Sequence, residues 1–171
     1  MRIANKRFQF FVEGKCEKKL IRVLIDHHLI VSGKAEIINP IQETIKITHL
    51  RPLPGKTNII LVFDTDKAEI DIFKKNLEFL RSSPNIQSII TVPQVRNLEE
   101  ELIRCTDIRH IRDLINCSHD SDFKAEFIEE KRLFEKLLIH HFDFKKLWSS
   151  SLPEPFLSLG IQNQGGKIKL P

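Results

Sequence analysis

Five consecutive apolar residues, Ile59 to Phe63, run into Asp64-Thr65-Asp66 within the stretch NIILVFDTD, residues 58–66. A β-branched and aromatic run with no polar alternation predicts a strand buried on both faces, the pattern of a parallel sheet interior. Its two acids then fall at the carboxyl end of the strand, the edge where open α/β sheets bind ligands. At i and i+2 they point to one side if the strand persists, and splay around a cation if the chain turns. Asp64-x-Asp66 is therefore read as half of a metal site.

The other segments are read against that strand. Arg7–Val12, RFQFFV, is a second buried strand and also ends on an acid, Glu13, followed by Gly14. Leu20, Ile21, Leu24, Ile25 and His28 recur at helical spacing and predict a helix over Lys15–Ile30. Ala35–Asn39 is a third strand, closed by Pro40, while Glu43–Leu50 reads as an edge strand or as irregular chain. The loop RPLPGK, residues 51–56, with Thr57 imitates a phosphate-binding loop. Leu50 stands where that motif's first glycine belongs and a strand follows, so no helix N-terminus receives a phosphate. Ile70, Phe73, Leu77 and Leu80 predict a helix through Arg81, and Ile86–Val92 is the last strand. Asn97 caps the next helix, with Glu99 and Glu100 in its first turn and Glu100 at the capping-box position.

Beyond about Thr106 the pattern becomes all-helical. Asp107–Ile115 and Phe123–His141 read as helices, the second with a core stripe of Phe123, Phe127, Phe134, Leu137, Leu138 and His141; Phe144–Trp148 continues it weakly. The expected fold is α/β. Residues 1–105 form a compact domain with a parallel sheet of about four strands flanked by helices, and residues 106–171 form a helical extension and tail packed on it.

Composition narrows the class without fixing the partner. The net charge of +4 and pI near 9.0 lean mildly toward a polyanion, since 27 basic residues face 23 acidic ones. Cys16, Cys105 and Cys117 are odd in number and lack a CxxC pair, which argues for reduced structural thiols over a disulfide framework or a zinc cluster. No run is long enough to span a bilayer, and the leading MRIANKRFQFFVEG is too weakly apolar for a secretory leader. The expectation is a cytoplasmic protein with no membrane contact.

In a parallel sheet, strands ending at Glu13 and Asp64 bring their acids to the same edge, so Glu13, Asp64 and Asp66 can converge. Oxygen donors without histidine or cysteine suit a hard cation, Mg²⁺ or Mn²⁺. Glu17 lies one helical turn after Glu13 and adds a fourth donor. Lys15, at the helix start, is placed to contact a phosphate.

Phe11-Val12-Glu13-Gly14-Lys15 with Glu17, followed by Leu61-Val62-Phe63-Asp64-Thr65-Asp66, resembles the TOPRIM domain shared by topoisomerases, bacterial primases and the OLD-family (overcoming lysogenization defect) nucleases. The resemblance covers roughly residues 7–105, and the Glu13-x-x-x-Glu17 spacing is most similar to the OLD-type nucleases. One departure is Lys67-Ala68-Glu69 after the second aspartate, where many members have a glycine. The resemblance implies hydrolysis of phosphodiesters in DNA or RNA with one or two Mg²⁺ or Mn²⁺ ions. It implies Glu13, Asp64 and Asp66 as catalytic metal ligands, Glu17 and Glu99 as further metal acids, and a late lysine at the transition state, for which Lys167 is the candidate. A homodimer or a protein partner and a phage-defence setting are compatible with it. There is no tyrosine in the chain, so a topoisomerase reaction would need one from a partner.

Two other readings compete. A haloacid-dehalogenase-type phosphatase would use Asp64 as nucleophile and Asp66 as general acid, but leaves Glu13-Gly14 without a role. A TOPRIM-like subunit without turnover of its own would bind nucleic acid for a partner. Phe144, Trp148 and Phe156 are available to stack on bases, although burial is the commoner use. Of each adjacent pair, His27-His28 and His140-His141, one is expected packed and one exposed.

Overall fold

The computed structural model describes residues 6–67 and 69–171. Residues 1–5, part of the segment read as no leader, and Ala68, in the departure after Asp66, lie outside them. Four parallel strands form one sheet in the order β2-β1-β3-β4, with β1 at Arg7–Val12, β2 at Lys34–Ile37, β3 at Thr57–Asp64 and β4 at Ile86–Gln94. β3 is buried from Thr57 through Phe63, as its unbroken apolar run requires.

Alternate residues of the central strands feed two cores. Phe10, Val12, Ile60, Val62, Ile90 and Val92 pack against α1 (Lys15–Asp26) and α4 (Leu98–Arg104). The same core takes Phe123 and Phe127 of α5 (Phe123–Glu129) and Leu133 and Leu137 of α6 (Leu133–Ile139). On the opposite face Phe11, Ile59, Leu61 and Phe63 meet Leu50 of the short α2 (Ile47–Leu50), α3 (Asp71–Ser82) and Phe156. Residues beyond 105 thus contribute to both cores and complete the layers over the sheet. No helix among the described residues is long and apolar enough to cross a membrane. All three cysteines are buried and free.

Several expected elements are shorter. α1 stops at Asp26 because His28 takes a φ of 55° and Ile30 joins an antiparallel bridge to Lys169. Glu43–Leu50 is no strand: Asn76 of α3 holds the loop, its Oδ1 accepting Ile45 N–H and its Nδ2 donating to the Pro40 and Glu43 carbonyls, each at 2.8 Å. Asp107–Ile115 contains only the 3₁₀ turn Ile111–Leu114. Phe123–His141 breaks at residues 130–132 into α5 and α6, which turns Leu138 and His141 out to solvent and buries Leu133 instead. Trp148 and Phe156 are buried, so neither is offered to a base. His27 stacks on Phe134 at 3.6 Å between centroids but is exposed, as is His28, so neither of that pair is packed as expected; His140 and His141 both address the Asp107 carboxylate, His141 being the exposed one.

Glu101 fastens the late segment to the sheet. This fully buried carboxylate accepts Val95 N–H at 3.0 Å, Arg104 Nη2 at 2.7 Å and Trp148 N–H at 3.2 Å. Removing it strips two backbone donors of their partners and half-frees a guanidinium. Glu101→Ala is therefore expected to cost about 3 kcal/mol in urea unfolding, and a loss below about 1 kcal/mol would contradict this account.

Candidate functional site

Parallel pairing of β1 with β3, from Arg7 opposite Thr57 to Val12 opposite Val62, delivers both strands to the same edge together. Glu13 Oε2 accepts the Asp64 backbone N–H at 3.3 Å and ties the two acid-bearing ends. α1 begins after Gly14, and Glu17 in its first turn folds back over that turn to only 8% exposure. A Cβ at residue 14 would lie 3.2 Å from Glu17 Oε2, so the glycine provides room for the carboxylate.

β3 ends at Asp64 and the chain turns there. Thr65 N–H donates to the Gln94 and Arg96 carbonyls at 3.1 and 3.0 Å; its hydroxyl donates to the Gln94 carbonyl at 3.2 Å and accepts Arg96 N–H at 2.9 Å. Arg96 sits at φ 69° to make this joint, a left-handed conformation costing a side chain about 1 kcal/mol. The spacer of Asp64-x-Asp66 is thus locked to the loop after β4. Asp64 stays half-buried while Asp66 projects into solvent.

Asn97 caps α4 as its sequence requires, Oδ1 accepting Glu100 N–H at 2.9 Å. Glu99, one residue earlier, pairs with Lys124 of α5, Oε1 to Nζ at 3.3 Å. Glu99 also adds its charge to those acting on Glu17 and Asp64.

These acids are held against their own charge. Burial, then Glu13, Glu17, Asp66 and Glu99, push the Asp64 carboxyl up to about 9. Burial also raises Glu13, partly offset by the Asp64 N–H, with Asp66 adding to the rise; it raises Glu17, with Glu13 and Glu99 adding. Lys124 draws both downward. Asp64 Oδ1 is buried with no hydrogen-bond partner.

The donor set fits a hard divalent cation: it is all oxygen, mutually repulsive, and includes one buried carboxylate oxygen unclaimed by the protein. In the orientations they adopt, no three His, Cys, Asp or Glu side chains among the described residues are set to hold an ion. Glu99 is turned to Lys124 and Glu13 to the Asp64 backbone.

Glu13, Glu17, Asp64, Asp66 and Glu99 are therefore brought to one edge, and Lys15 is exposed at the first position of α1 beside it. Lys167 is not. It lines a cavity with Phe8, Asn58 and Ser88 at the amino ends of the strands, about 20 Å along β3 from Asp64. The tail is held there because Gln164 pairs with Thr91 of β4, N–H to carbonyl at 2.8 Å and Thr91 N–H to Oε1 at 3.1 Å. The lysine that reaches the acids is Lys124, on a late helix where no motif marks it. Gln94 was also outside the sequence reading, which ended the last strand at Val92; β4 runs on and sets Gln94 opposite Asp64. The signal was a polar residue continuing the apolar alternation of Ile90 and Val92.

Comparison with models of known protein families, with curated proteins and with solved structures returns no match for this chain.

Folded Asp64 keeps its proton up to about pH 9, whereas an unfolded aspartate loses it near 4. The folded state then binds the extra proton throughout that window, so metal-free stability falls as pH rises from about 4 toward 9, with Glu13 and Glu17 acting in the same sense. Asp64→Asn removes the ionisation at constant size and is expected to raise the metal-free Tm more at pH 8 than at pH 5. A Tm below wild type at pH 8 would contradict the crowding.

Proposed function

We propose that this chain is a divalent-cation-dependent phosphodiesterase acting on nucleic acid through a TOPRIM-type acidic site. One observation carries the reading: five carboxylates from three strand-to-helix junctions are gathered at the carboxyl edge of a parallel sheet, with Asp64 raised to about 9 by burial and by the other four. A purely structural edge gains nothing from that repulsion.

Glu13, Asp64 and Asp66 would hold Mg²⁺ or Mn²⁺, with Glu17 and Glu99 as further acids. Such an ion supplies Lewis-acid polarisation of a phosphoryl oxygen and a water acidic enough to attack phosphorus at neutral pH. The chain's own groups do the rest. Asp64 would pass its proton to solvent on taking up such a cation. Glu13 keeps the two strand ends registered through the Asp64 N–H, and Thr65 fixes the turn that separates Asp64 from Asp66. Lys124, paired with Glu99, presents an ammonium beside the acids, where a non-bridging phosphate oxygen would sit. Lys15 at the rim would meet the backbone of the same strand. A homodimer or a second chain would extend the nucleic-acid surface.

The test is cleavage of labelled plasmid, single-stranded DNA and RNA with Mg²⁺, with Mn²⁺ and with EDTA. Cleavage of at least one substrate is expected with a cation, is abolished by EDTA, and falls roughly a hundredfold or more in Asp64→Asn. Cation-independent cleavage, or a fully active Asp64→Asn, would refute the proposal. Cation binding without cleavage would assign the site to a partner-dependent subunit.

A further inference from the structure

Gln94 closes β4 with a side chain that is wholly buried, and both its Oε1 and its Nε2 lack a hydrogen-bond partner. Buried carboxamides are nearly always paired, because water would satisfy them outside. The position itself calls for an apolar residue: Ile90 and Val92, on the same face of β4, pack into the core with Leu98 and Leu102. A leucine here would complete that face with no unpaired polar atom. Other orphaned donors of the described residues, Trp148 Nε1 and Arg104 Nε, belong to side chains that pack or pair in other ways.

What stands opposite Gln94 is Asp64. The two are register partners on adjacent parallel strands, so their side chains leave the sheet on the same face, within reach of one another. Asp64 Oδ1 is itself buried and unpartnered. A donor-and-acceptor group with nothing to bind and a carboxylate oxygen with nothing to bind therefore lie side by side at the edge where the acids collect.

We propose that Gln94 is a positioning residue of the acid site, its carboxamide directed at Asp64 so that Nε2 donates to Oδ1 when the carboxylate holds a cation. The inference rests on the cation reading given above. A donor on the inner oxygen fixes the carboxylate plane and leaves the outer oxygen for the cation. A neutral amide does this without adding to the negative charge of five acids or competing with the metal as a cation would.

The test is Mn²⁺ binding by isothermal titration calorimetry on wild type, Gln94→Leu and Gln94→Met, with the metal-free Tm of each. The expected result is a metal-free Tm equal to or above wild type in both variants, since an unpaired amide is replaced by apolar atoms, with Mn²⁺ affinity lowered about tenfold or more. Unchanged Mn²⁺ affinity in the folded variants overturns the role of Gln94 and leaves the acid site standing. Loss of the metal-free fold in both also overturns it, because a core-holding role then explains the burial. Absence of Mn²⁺ binding in wild type overturns the cation site and this inference with it.

Discussion

β3 is hydrogen-bonded on both edges and covered on both faces, so its chain meets solvent only at its ends. That confinement dictates where the polar chemistry of this protein collects. A parallel sheet brings every strand out at the same edge, and α1, α3 and α4 follow β1, β3 and β4 from there. The residues that close the strands and open the helices, Glu13, Glu17, Asp64, Asp66 and Glu99, are carried to one place by topology alone. Desolvation by the cores beneath makes their mutual repulsion strong.

Two carboxylates in this chain show how differently such charge is handled. Glu101 is wholly buried, and three donors, one of them a guanidinium, satisfy it. Asp64 is less buried, yet one oxygen has no donor at all and its neighbours are acids. The first arrangement holds structure together. The second stores unfavourable energy that the tight joint at Thr65 and Arg96 and the sheet register keep in place, and the proposed cation site rests on that contrast. Lys124 offsets part of the charge from outside without filling the gap.

The sheet and the acid edge were legible in the sequence because both rest on local pattern. Apolar runs ending at Glu13 and at Asp64 fix the strands, and parallel pairing then fixes adjacency. Asn97 and Glu100 announced their cap by chemistry that acts over a single turn. What was not legible depends on contacts distant in sequence. Glu43–Leu50 looks like a strand by alternation, but Asn76, some thirty residues on, claims its backbone. Phe123–His141 keeps a helical stripe through a break that local spacing does not reveal. Lys167 followed a suggestive glycine pair, whereas the tail is pinned at Thr91 in mid-sheet and runs on to set Lys167 by Phe8, Asn58 and Ser88, and Lys124 takes the place beside the acids.

The most direct measurement of the central claim is an anomalous difference map from crystals grown with Mn²⁺. A peak about 2.1 Å from an Asp64 carboxylate oxygen, with Glu13 or Asp66 completing the ligands, is the expected result. Mn²⁺ bound elsewhere, or a clear map with the acids still unliganded at saturating Mn²⁺, would contradict the claim that this edge is a cation site.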